Sequence, residues 1–323
     1  MRPETVHKEM LSRRLLRIKV VKALYAHFKS ESDSLVVSEK NLLFSIDKTY
    51  ELYHQMLWLI VEVAKYAEKR IELGRNKKLP TPEELNPNTR FIDNPVIAMI
   101  RNNEELVDYM ERKKLGWSNY PELIKHLYLA LTESDFYKAY MSSETHSFKE
   151  DVDVIGKFYS QIACDDPMTD EVLEEQSIFW NDDTDFAGIM VLRTLDNLKS
   201  DQNPIELLPQ YKNEEDLAYA RELFRYTLVH FKEHLEYIGK YTSNWEVERI
   251  AFMDNVIMAT AMSELIDFPS IPVKVTLDEF IEIAKYYSTP GSSTFINGVL
   301  DKIVETLTAE NRIQKSGRGL LDK

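Results

Sequence analysis

Apolar residues return every three or four positions along most of this chain, and almost nowhere do they alternate. Leu42, Ile46, Tyr53, Leu57 and Ile60 hold helical spacing, and Leu52, Met56, Leu59 and Val63 widen the same stripe into a long second helix over about 39–73. The same period predicts helices over 10–29, 104–113, 120–131, 152–162, 185–198, 217–240 and 295–307. Only 9 of the 323 residues are Gly, and β-branched runs bounded by turn residues are scarce. A chain with this pattern is all-α.

Two breaks interrupt the period. Residues 74–95 (GRNKKLPTPEELNPNTRFIDNP) hold four prolines, and residues 200–215 hold Pro204 and Pro209. They divide the chain into residues 1–75, 76–204 and 205–323. In the last part, Ser243-Asn-Trp-Glu246 and Thr276-Leu-Asp-Glu279 have the spacing of capping boxes, each opening a helix. Thr289-Pro-Gly-Ser-Ser reads as a turn before a final helix whose Phe295, Val299, Leu300, Ile303 and Leu307 face inward.

Charge is distributed unevenly over these parts. The whole chain carries −14, yet its first thirty residues hold eight Lys and Arg against two Glu. Residues 151–203 hold thirteen Asp and Glu against three Lys and Arg. In 11–30 (LSRRLLRIKVVKALYAHFKS) basic residues interleave with helix-spaced apolar ones, a pattern suited to a polyanion such as RNA. Arg13 and Arg17 share an azimuth with Leu24 and Phe28. Burying unpartnered guanidinium groups is costly, so the first turns of this helix are expected to overhang the body.

Other chemistry finds little support in the residues. The single cysteine, Cys164, excludes an internal disulfide and a multi-thiolate zinc site and fits a reducing, cytoplasmic setting. His230 and His234 stand four apart, but Phe-Lys-Glu between them is not the HExxH order of zinc hydrolases. No glycine-rich phosphate loop or GxSxG elbow is present, so neither an enzyme nor a cofactor is expected. The longest apolar run, around 56–63, is too short for a bilayer and contains Glu62, and the opening MRPETVHKEM has no apolar stretch like that of a signal peptide.

Two distant stretches together resemble one family. Arg13-Arg14-x-x-Arg17 followed by Ala23-Leu24-Tyr25 is similar to the arginine-rich opening helix of the transcription antitermination factor NusB. Trp245-x-x-x-Arg249, Met253-Asp254, Ser263-Glu264-Leu265, Ile283-Ala284-Lys285 and Phe295-Ile-Asn297-Gly298-Val299-Leu300-Asp301 resemble the second half of that family in order and spacing. The resemblance implies a NusB-like helical bundle of two small subdomains, here with residues 76–204 as an inserted helical region. It implies binding of boxA-like single-stranded RNA of ribosomal operons, together with the ribosomal protein NusE, within a transcription elongation complex. Carried across, Arg13, Arg14, Arg17 and Tyr25 fall on one RNA surface, with Lys22 adding charge, and Ser292 and Phe295 fall on a second. Asp254 and Glu264 match acidic positions that could meet NusE.

The chemistry of those residue types agrees. Guanidinium groups grip phosphates, aromatic rings stack unpaired bases, and the start of a helix at 292–294 offers N–H groups to an anion. A different reading is a helical scaffold whose acidic insertion docks a basic partner.

Overall fold

A computed structural model describes residues 12–30, 34–200, 205–211, 213–242 and 251–321. Among them there is no strand, and the helices are α1 (Arg13–Lys29), α2 (Leu35–Arg75), α3 (Pro82–Leu85), α4 (Pro95–Arg101), α5 (Glu104–Lys113), α6 (Pro121–Glu133), α7 (Asp135–Ser142), α8 (Phe148–Phe158), α9 (Pro167–Gln176), α10 (Thr184–Asp196), α11 (Glu214–Thr242), α12 (Phe252–Asp267), α13 (Val273–Tyr287) and α14 (Ser292–Ala309). The all-α expectation therefore holds. The helices form two compact units, one of Asp47–Gln210 and the other of Leu11–Ile46 with Tyr211–Lys323. The division falls inside α2, between Ile46 and Asp47. The proline-rich stretch contains α3, capped by the side chain of Thr81 and closed reciprocally by Glu84.

In the first unit the later half of α2 is the spine. Leu52, Tyr53, Met56, Leu57, Leu59, Ile60, Val61 and Val63 are all buried and cover more than half of the helix circumference, with His54 and Gln55 buried beside them, so this stretch must be surrounded on most sides. Residues 76–204 supply the surroundings. Trp117 Nε1 donates to the Gln55 carbonyl at 2.9 Å, Trp180 Nε1 to the Lys48 carbonyl at 2.7 Å, and the Tyr159 hydroxyl to the Met56 carbonyl at 2.9 Å. Each ring thus fills core volume while its polar atom finds a partner on α2. Tyr159 opens a π turn (Tyr159–Ala163) that continues α8.

The second unit is centred on α12. Asp254 and all ten residues from Val256 to Leu265 are buried, and α11, α13, α1 and α14 pack around it. α11 presents Tyr219, Ala220, Leu223, Phe224, Thr227, Phe231, His234 and Ile238 inward at three- and four-residue steps. In α14 the inward residues are Ile296, Val299, Leu300, Ile303 and Leu307. Phe295, expected to face inward, is only half-buried, because Ile296 takes that seat one position later.

Two local expectations change. α13 begins after Pro272, three residues before Thr276, so Thr276 is inside the helix and its buried hydroxyl donates to Glu264 at 2.7 Å instead of capping. The other expected capping box, Ser243–Glu246, lies outside the described residues, as do Trp245 and Arg249. The turn before α14 is as expected: Gly291 has φ +91°, a left-handed conformation that glycine accepts without strain.

Candidate nucleic-acid interface

The basic helix α1 is fixed against the second unit by its own arginines. Its N-terminus is capped by Ser12, whose side chain accepts the Leu15 N–H. Leu15, Leu16, Val20, Val21 and Leu24 then turn one face into the core. Arg13 Nε donates to Asp216 Oδ1 at 3.0 Å, with its guanidinium 5.0 Å from the Tyr219 ring centre. Arg14 forms a bidentate pair with Glu279, both bonds at 2.8 Å, and donating these hydrogen bonds to Glu279 raises its pKa.

Arg17 goes further in. It is 2% exposed and makes a bidentate pair with Glu264, at 2.7 and 2.9 Å, while Glu264 itself is 0% exposed. Burial opposes the charge on Arg17, yet Tyr219 and Glu264 outweigh that cost and its pKa is raised. Tyr219 and Thr276 also donate to the same carboxylate. Burial first, and the Glu264 charge second, push the Tyr219 phenol well above its ordinary range, so it remains a donor.

This corrects the overhang expected for the first turns of α1. Arg17 is buried because its charge is paired and its hydrogen bonds are satisfied. Glu264 is likewise sealed inside, and as a surface for a protein partner it is replaced by this internal role. Asp254, the other acidic position assigned to a partner, is 3% exposed and accepts from the hydroxyls of Ser288 and Ser292, the latter at 2.9 Å. Ser292 is 6% exposed and its hydroxyl is used there. An anion site at the start of α14 is therefore pre-empted by a carboxylate of the same unit, and Ser292 braces the turn instead of facing a ligand.

What reaches the surface is arranged by the register of α1 and α13. Arg14 meets Glu279, and Lys22 Nζ lies 5.1 Å from the Tyr287 ring centre. Eight residues separate the members of each pair on both helices, so α1 and α13 run side by side in the same direction. Tyr25 packs on Phe252 with ring centres 5.7 Å apart, and two residues beyond Phe252 stands Asp254, which holds Ser288 and Ser292. Lys22 thus reaches the end of α13, while Tyr25 is tied to the start of α12 through Phe252. Half-buried Phe295 follows Ser292 by three residues on α14.

Some contributors were not singled out from the sequence. Lys29 Nζ lies 4.7 Å from the Phe252 ring centre and 5.9 Å from that of Tyr25. The step of four from Tyr25 to Lys29 was visible in the sequence; the partner ring on α12 was not. Glu279 was read as half of a capping box, and nothing local marked it as the partner of Arg14. His234, considered beside His230 for a metal, sends Nε2 to Ser263 Oγ at 3.0 Å.

A family model described as the NusB family matches residues 187–305. Relatives named transcription antitermination protein NusB agree. That of Salinibacter ruber is 40% identical over 146 residues, which is 45% of this chain and 85% of the relative. That of Chloroherpeton thalassium is 43% identical over 86 residues, 27% of this chain and 41% of the relative. That of Natranaerobius thermophilus is 34% identical over 106 residues, covering 29% and 76%. No solved structure matches significantly. With an arginine-rich α1 bound to α11, α12 and α13, and with most of a relative's length aligned at this identity, the chain belongs to the NusB family.

Proposed function

We propose that this protein is a transcription antitermination factor that binds boxA-like single-stranded RNA of ribosomal operons together with NusE, in the setting of an elongation complex. The observation that supports the reading is the matched spacing of Arg14–Glu279 and Lys22–Tyr287, which lines basic residues of α1 along α13 toward the turn that precedes α14. Cationic and aromatic side chains on one ledge are what unpaired RNA requires: charge for the phosphates and ring faces for the bases. Arg13 and Arg14 stand on the same helix with part of each side chain exposed, but each is already paired with a carboxylate and adds little net attraction for phosphate. Phe295 supplies a ring edge from α14.

The test is a gel-shift series with boxA-like RNA, with and without NusE, from low to moderate salt. Binding that NusE strengthens and salt weakens is expected. Equal, weak retention of boxA-like and scrambled RNA under all conditions would overturn the reading.

One observation favours the scaffold reading in addition. Ile178 and Ile189 are 75% and 52% exposed in the acidic insertion, among Glu174, Glu175, Asp182 and Asp185. Exposed apolar side chains with exposed acids close by in the sequence suit a basic protein segment. Full-length protein with these four acids changed to Ser should lose a basic partner such as NusE if that reading holds, and keep it if NusE docks elsewhere.

A further inference from the structure

We infer that Lys29, Tyr25 and Phe252 form a base-stacking subsite at the C-terminal end of α1, and that this end, more than the arginine end, carries the affinity for single-stranded RNA. The inference rests on the RNA-binding reading above and extends it from Tyr25 to Lys29 and Phe252, which the resemblance does not assign.

Charge compensation points to this end. Each arginine of α1 already has a carboxylate: Arg13 has Asp216, Arg14 has Glu279 and Arg17 has Glu264. A phosphate approaching them also meets those acids, so the net attraction is small. Lys29 is exposed and forms no ion pair with any carboxylate among the described residues. It is held instead over two rings, at 4.7 Å from Phe252 and 5.9 Å from Tyr25.

The rings are built to stay put. Phe252 lies 6.1 Å from Phe28 and 6.3 Å from Phe231, while Phe28 stacks on Phe231 at 4.0 Å. Tyr25 and Phe252 are both half-buried: Phe252 packs on Phe28 and Phe231, Tyr25 packs on Phe252, and each residue keeps some exposure. A nucleobase can lie against that exposed part while the ammonium group meets the adjoining phosphate. Because every base has a π face, such a subsite takes unpaired RNA with little dependence on sequence. The bland reading of Lys29, a cation at a helix C-terminus, accounts for its charge and not for its place above two rings.

The experiment uses the full-length protein and a fluorescein-labelled boxA-like RNA dodecamer, with a second copy carrying 5-iodouridine for photocrosslinking. Lys29→Ala should weaken binding several-fold and flatten the salt dependence by about 0.7 in log K against log salt, the amount for one phosphate on a single strand. Phe252→Leu, which keeps an apolar side chain in the cluster, should weaken binding about five- to tenfold and leave the salt slope unchanged. Arg14→Ala should cost less than Lys29→Ala. Crosslinks should map to Tyr25 or Phe252. Thermal melts of each variant show whether the fold is kept, and the crosslinks are read on unaltered protein. If wild type binds the RNA, but Lys29→Ala and Phe252→Leu bind equally well and crosslinks map elsewhere, this subsite is wrong while the RNA-binding reading survives. If wild type does not bind the RNA, both fall.

Discussion

Arg17 shows how residue type and residue role separate. In the sequence it is one of three arginines on a basic helix; in the fold it is the buried cation that satisfies Glu264. Removing it would strand a charge with no access to water. Arg17→Ala should therefore destabilise the protein by about 3–5 kcal/mol, whereas Arg14→Ala, on the surface, should cost under about 1 kcal/mol. Urea titrations of the two variants check the contrast, and equal midpoints would refute the internal role. Two histidines give a second prediction at this scale. Burial lowers the pKa of His54 to about 4 and that of His234 to about 4, from an ordinary 6.5. Between those values the unfolded chain binds protons that the folded one refuses. Stability should hold above pH 6.5 and fall as pH drops from 6.5 toward 4. His234→Gln should flatten that fall in urea midpoints measured at pH 7 and 5.

Single helices respond to what their backbone needs. Gly298 lies inside α14, where glycine costs about 1 kcal/mol relative to alanine. Close approach of a neighbouring helix would explain it, but a Cβ at Gly298 would meet nothing within 4 Å. Gly298→Ala should then raise stability by about 0.5–1 kcal/mol. Gly291 also has open space around it, yet its φ of +91° makes any side chain there strained. Gly291→Ala should lower stability by about 1 kcal/mol or more. On α10, a Cβ at Gly188 would stand 2.5 Å from Cys164 Sγ, so Gly188→Ala should force α10 away from the π turn and cost about 1–3 kcal/mol. Thermal melts of the three variants give the expected order, with Gly298→Ala alone above wild type.

Over the molecule as a whole, Asp47–Gln210 form a unit around the later half of α2, and the family match over 187–305 begins in α10 of that unit and runs on through the helices of the second. The chain's −14 charge sets the background against which any RNA must bind. With the three arginines of α1 already compensated, only two or three cations act on phosphates. The salt slope should be shallow, roughly 1.5–2 in log K against log salt, at about 0.7 per phosphate. A measured slope above about 4 would mean that the arginines release their carboxylates on binding. Which stretches are helical, that α1 is basic, and that the turn at Gly291 precedes a helix were all legible, because periodicity, charge order and a left-handed glycine are local properties. The fates of Arg17, Asp254, Glu264 and Ser292 were not. Each depends on a partner at least 34 positions away.

By itself the sequence determined the helical class, the two basic and acidic regions, and the aromatic and cationic residues available to a ligand, since these follow from composition and from 3.6-residue spacing. Only the tertiary structure decided which charges remain for a ligand. Ion pairing and burial are set by side chains from distant helices meeting in space, and they turned an arginine-rich surface into a largely neutralised one with its exposed lysine at the far end.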